Sequence, residues 1–138
     1  MQLSTHVIFA LISLGAMEIK ETNITIPQTE EEFLHIQYEP SSLNISWNNY
    51  QIKFQERIQE IQKRLLRNHR DYLLSKSDWI MTADVFPTIA NKEDWIVYRQ
   101  ALRDLPNTVA EYIWRDNRYE ALDFKRMNIP QTPPVLRT

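Results

Sequence analysis

The sequence predicts a mainly α-helical chain with a short β-containing N-terminal region, in which a long amphipathic, coiled-coil-like helix is followed by a small helical hairpin domain. Three observations carry this. Phe54, Ile58, Ile61, Leu65, Asn68 and Tyr72 recur at 4-3-4-3-4 spacing through a stretch free of glycine and proline, the phase of heptad core positions. Only one glycine occurs in 138 residues, against a usual share of about 7%, which favours long regular elements over tight loops. Trp95, Tyr98, Leu102 and Leu105 line one face just before Pro106, the mark of a short amphipathic helix with a stop signal.

Four regions follow along the chain: an apolar N-terminal segment and attachment region (1–48), the amphipathic helix (49–76), a small domain (77–106), and a C-terminal helix with a Pro-rich tail (107–138). Val7 to Ala16 is an apolar run, about as long as a secretory h-region and too short to span a bilayer. Gly15-Ala16 fits a small-residue cleavage site, but no Lys or Arg precedes the run. A retained segment covered by an oligomer or partner is the expectation, since such a patch exposed alone invites aggregation. A signal peptide, a membrane anchor, or a true start at Met17 are the other readings, and no stable membrane insertion is expected.

Ile19, Ile24 and Ile26 alternate with Glu18, Lys20 and Thr25, a strand pattern over 18–26 closed by Pro27. Thr29 stands three residues before Glu32, the spacing of a capping box. Both a short helix there and a strand over Leu34–Tyr38 fit, and the sequence does not separate them. Leu43–Trp47 alternates too, as a strand or as the entry to the next helix.

The helix over 49–76 is the strongest element. A self-associating coiled coil and an intramolecular core helix both fit it, because Leu66 and Leu73 widen the apolar stripe. Under the first reading Phe54, Ile58, Ile61, Leu65, Asn68 and Tyr72 are the oligomerisation residues of a homo-oligomer, with Asn68 fixing register. Charge is uneven. Residues 1–50 hold six carboxylates and one lysine (−5), and residues 51–76 hold seven Lys/Arg and three carboxylates (+4). A solvated helix face is the plain reading; attraction within or between copies is the other.

Residues 80–90 read as a loop. Asn91 reads as an N-cap with Glu93 and Asp94 in the first turn, where the helix dipole favours them, and Pro106 as the stop. A further helix is expected within 108–126. Ile129–Val135 reads as an extended tail, free or laid on a neighbour. Trp79 and Trp95 are expected to supply most of a miniature core with Leu73, Leu74, Tyr98 and Leu102. Asp78 is expected to pair with Arg99 or Arg103.

The set Leu73-Leu74, Asp78-Trp79, Asp84, Trp95, Tyr98-Arg99 and Leu102-Arg103-Asp104-Leu105 resembles the small domain of the phage tail assembly chaperone family, found at the C-terminal side of tail-fibre-like proteins. The resemblance covers about residues 66–106. Two tryptophans and a Tyr-Arg pair at set spacing make it specific. Family members often continue into a Pro/Trp-rich tail, whereas this chain runs into Glu111-Tyr112-Ile113-Trp114 and a charged stretch. The resemblance implies a non-enzymatic structural or interaction component of a phage tail, baseplate or tail-fibre assembly, placed in the virion tail and, during assembly, in the host cytoplasm. The alternative it implies is a free assembly chaperone absent from the mature virion. Its partners would be other tail, baseplate or fibre proteins, with Asp78, Trp79, Trp95, Tyr98, Arg99, Leu102 and Arg103 as the motif and candidate interaction residues.

Chemistry is not indicated. The chain has no cysteine, which removes disulfides and thiolate metal sites. His6, His35 and His69 lie at no metal-ligand spacing. Glu30–Glu32 are adjacent on a helix start and do not converge for acid–base work. No phosphate loop or nucleophile elbow is present. Catalytic residues, cofactors and metals are therefore expected to be none. The basic stripe Lys63, Arg64, Arg67 and Arg70 could touch phosphate, but a net charge of −2 gives no global attraction to nucleic acid.

Overall fold

The computed structural model describes residues 4–20 and 25–138. Two compact units divide the chain, Met1–Ile61 and Gln62–Thr138. Helices dominate, with one two-stranded sheet near the N-terminus, as the sequence predicts.

In the N-terminal unit, the apolar run forms helix α1 (Thr5–Ser13). Val7, Ala10 and Leu11, on one face by helical spacing, are fully buried. Part of the run is thus buried within the chain, while Phe9 and Ile12 stay half exposed. Arg57 covers the Phe9 ring, 4.3 Å from its centroid. Gly15-Ala16 has a folding role: the amides of Gly15 and Ala16 donate to the carbonyls of Ile12 and Leu11, a Schellman stop. Gly15 adopts φ 109°, which only glycine takes without strain.

The strand expected over 18–26 is short. β1 (Glu18–Ile19) pairs antiparallel with β2 (Tyr38–Glu39); Ile24 lies outside the described residues. A Lys20–Glu39 ion pair flanks this ladder; their hydrogen bond raises the lysine pKa and lowers the carboxyl's. Of the two alternatives left open by the sequence the helix forms, and of the strand over Leu34–Tyr38 only Tyr38 is paired, in β2. α2 (Glu30–Leu34) is capped by Thr29, whose hydroxyl accepts from the Glu32 amide at 3.2 Å, while Glu32 reaches back to the Gln28 amide at 2.9 Å. β2 follows. Residues 43–46 are an entry to helix α3 (Trp47–Ser77), with the Ser46 hydroxyl accepting from the Asn49 amide. Phe54, Ile58 and Ile61 of α3 are buried in this unit, which accounts for those heptad positions without a second copy.

The C-terminal unit begins inside α3. One cluster joins Leu66, Leu105, Leu122, Met127 and Ile129; a second joins Ile80, Ile89, Trp95, Tyr98 and Leu102, and Leu73 packs against both. Here the fully buried residue is Leu66, with Leu65 only partly covered and Asn68 and Tyr72 exposed. The cluster is built on Leu66 and Leu73, one position on from Leu65 and Tyr72. After α3 come 3-10 turns at Asp78–Met81 and Phe86–Thr88, then α4 (Lys92–Thr108). Pro106 does not stop α4. In the last turn it removes one bond only, and the Val109 amide still reaches Leu105 at 2.9 Å.

The C-terminal helix expected within 108–126 does not form. A hairpin-like bridge links Trp114 and Leu122 instead. Its turn is set by Asp116, whose Oδ1 accepts from the Arg118 and Glu120 amides, and by Tyr119 at φ 59°. An aspartate that binds the amides ahead of it competes with helix formation. Burial acts to raise the Asp116 pKa, but backbone N–H donors outweigh it, and the net shift is downward. The Pro-rich tail is not free: Ile129 is buried in the first cluster, and the last residues return to the loop before α4.

Candidate interaction site of the C-terminal unit

α3 ends at Ser77 with its last carbonyls beyond intrahelical reach. Arg99, from the middle of α4, supplies what they lack. Its Nη1 donates to the Leu74 carbonyl at 2.9 Å and to Ser77 Oγ at 2.6 Å, and its Nη2 donates to Asp78 Oδ1 at 2.8 Å. Ser77 Oγ in turn donates back to the Leu74 carbonyl at 3.1 Å. The guanidinium is thus a C-cap provided by another helix, a cation placed where the dipole of α3 is negative. Each charge-assisted bond is worth roughly 1.5–3 kcal/mol, less for the Asp78 contact, whose side chain is largely exposed.

Around this cap the motif residues divide. Trp95, Tyr98, Arg99 and Leu102 are buried; the Trp95 and Tyr98 rings meet edge-to-face at 5.7 Å. Asp78 pairs with Arg99 and not with Arg103, which is exposed on α4. Trp79 departs from expectation. It is 44% exposed, and Ile80, at 1%, fills the core position instead, because the 3-10 turn sets the residue after Trp79 toward the cluster. Arg137 lies over the outer Trp79 ring at 5.7 Å.

Several contacts of the tail were not read from sequence. Asn91 starts α4, but its side chain does not cap the helix. The amide instead donates to the Pro134 carbonyl at 2.8 Å and accepts from the Leu136 amide at 3.3 Å. The Ala90 amide donates to the Leu136 carbonyl, and the Thr138 amide to the Thr88 carbonyl. Tyr98 Oη and Thr132 Oγ1 share a hydrogen bond at 3.2 Å. These ties strap the tail over the hairpin and leave a groove of about 180 Å³ beside it. A local signal was present for Ser77, a hydroxyl at a helix end next to an acidic residue.

His69 is stacked on Phe124, ring centroids 3.8 Å apart, and burial lowers its pKa. Among the described residues no group of three or more His, Asp or Glu could hold a metal ion, and no helix is long and apolar enough to cross a membrane.

With this geometry in view, the family comparison is decisive for one region. Residues 63–112 match the model of the phage tail assembly chaperone protein family. They form a phage tail assembly chaperone-like domain. The match takes in the end of α3, the Asp78-Trp79 turn and all of α4, so Arg99 and its partners fall inside it. It supports a role in phage tail assembly and interaction with tail proteins. Searches of the curated proteins and of the solved structures gave no match.

Proposed function

We propose that the chain is a non-enzymatic structural component of a tailed-phage tail, baseplate or tail-fibre assembly, made in the host cytoplasm and retained in the virion. The observation that carries this reading is how the matched domain uses its polar motif groups. Arg99, Asp78 and Ser77 are engaged with one another and with the end of α3, so they serve the shape of the hairpin. Trp79 and Arg103 remain outward and are the candidates for partner contact, as aromatic and arginine side chains carry much interface energy. Self-association through Asn68 and Tyr72 belongs to the same proposal, since both are exposed on α3. The second reading, a free assembly chaperone, is favoured by the family's description alone.

Quantitative mass spectrometry of purified particles and of infected-cell lysate separates the two. A fixed ratio to tail proteins in the particle is the expected result. Presence in the lysate alone makes the protein a chaperone.

A further inference from the structure

Resting on the assembly reading above, we propose that copies of this chain join head to tail. The acidic N-terminal unit of one copy docks on a basic face that α3 carries within the C-terminal unit of the next.

Helical spacing builds the face. Arg67 lies three residues after Arg64 and four after Lys63, so the three cations share one side of α3. All three are exposed, and among the described residues none has an ion-pair partner. Asp71, one turn further on, is held by Arg70 at 2.9 Å. Asn68 and Tyr72, exposed four and eight residues after Arg64, border the same face. Like charges at these spacings weaken a helix, so the cluster does nothing for the folding of α3. An opposite charge from outside relieves it.

The chain itself carries that opposite charge. The N-terminal unit holds eight carboxylates and three Lys/Arg (−5), and the C-terminal unit thirteen Lys/Arg and ten carboxylates (+3). The cations of the N-terminal unit are engaged: Lys20 with Glu39, Lys53 with Glu56, and Arg57 over the Phe9 ring. Glu32 is used by the Gln28 amide. Glu30 and Glu31 stay exposed, with no ion-pair partner among the described residues.

Charge also selects the symmetry. Two α3 helices paired symmetrically about this stretch would set Lys63, Arg64 and Arg67 against the same residues of the other copy, and like charges across an interface are unfavourable. A head-to-tail contact sets the negative unit against the positive face. It leaves one free half at each end, so it closes into a ring or continues as a filament. DNA would also suit the three cations, but the N-terminal unit and a net charge of −2 oppose it.

Sedimentation velocity of the full chain tests this at about 0.1 M and about 1 M salt, between which the screening length falls from about 10 to about 3 Å. The wild type is expected to associate at the lower salt and at least about tenfold more weakly at the higher. A variant with Lys63→Glu, Arg64→Glu and Arg67→Glu, and another with Glu30→Lys and Glu31→Lys, should each be monomeric alone. Mixed in equal amounts they should associate again, because each supplies the charge the other has reversed. Circular dichroism melts check that both fold. Arg64→Gln with Arg67→Gln, which removes charge without reversing it, should still weaken association about threefold or more. A monomeric wild type, a reversed variant that associates as the wild type does, or a mixture that stays monomeric overturns the proposal. Binding of a short DNA duplex by a monomeric wild type gives the face to nucleic acid and overturns it too. If copies associate as stated but the protein joins no tail protein, the contact stands and the assembly reading fails. A protein present in particles whose wild type is monomeric fails the contact alone.

Discussion

In the N-terminal unit the centre is a run of rings. Phe33 stacks on Tyr50 at 4.8 Å and meets Trp47 at 5.5 Å, and Tyr50 continues to Phe54 at 5.8 Å. In the C-terminal unit the centre is an arginine with three hydrogen-bonded partners, surrounded by two small apolar clusters. Ring stacking is broad in geometry and tolerates other apolar shapes. A guanidinium fork does not, because its donors are fixed in a plane. The contrast assigns stability by bulk burial to the first unit and a set angle between two helices to the second, and the second is the unit matched to the tail assembly family.

The largest expected effect is at Trp95. Trp95→Ala empties the second cluster and should cost about 3–5 kcal/mol. Hydrogen exchange should show protection lost across 78–108 while α1 and α2 keep theirs; equal loss in both units would break the comparison. Arg99→Ala comes next, at about 2–3 kcal/mol, since it uncaps α3 and leaves the buried Ser77 without its donor. A denaturant midpoint measures it. Phe33→Met in the aromatic run should cost under about 1.5 kcal/mol, and a cost above that of Arg99→Ala would reverse the argument. Asp78→Asn should cost no more than about 1 kcal/mol, as the carboxylate is exposed. If it matches Arg99→Ala, the ion pair and not the cap holds the hairpin.

The smallest effect is a pH slope. The His69 pKa is lowered by burial against Phe124, so the folded state binds fewer protons than the unfolded one below the ordinary value of 6.5. Stability from this site is complete above 6.5 and falls as pH drops below it toward the folded pKa. In His69→Phe, which keeps the stack, that part of the slope should vanish from melts recorded between pH 7 and pH 5.

Local patterns were readable where local chemistry sets the structure. The absence of Gly and Pro over 49–76 gave α3, the Thr29/Glu32 spacing offered the cap of α2, and the motif narrowed the partner of Asp78 to Arg99 or Arg103. What escaped was set at long range or by single backbone states. Trp79 faces outward because the chain leaves α3 through a 3-10 turn that sets Ile80, the next residue, toward the cluster. The helix expected after Thr108 lost to one aspartate's hydrogen bonds and one residue at positive φ. The tail's partners lie 34 to 50 residues away in sequence, beyond any local periodicity.

The way Asn91 holds the tail has an evolutionary consequence. Its carboxamide here uses one donor and one acceptor, as a peptide group does, and it and its neighbours grip main-chain atoms of Pro134, Leu136 and Thr138. Such a grip is blind to side-chain identity. Val135 and Leu136, both more than 40% exposed, are therefore free to drift with whatever they meet, and a lineage could retune that edge residue by residue without loosening the strap.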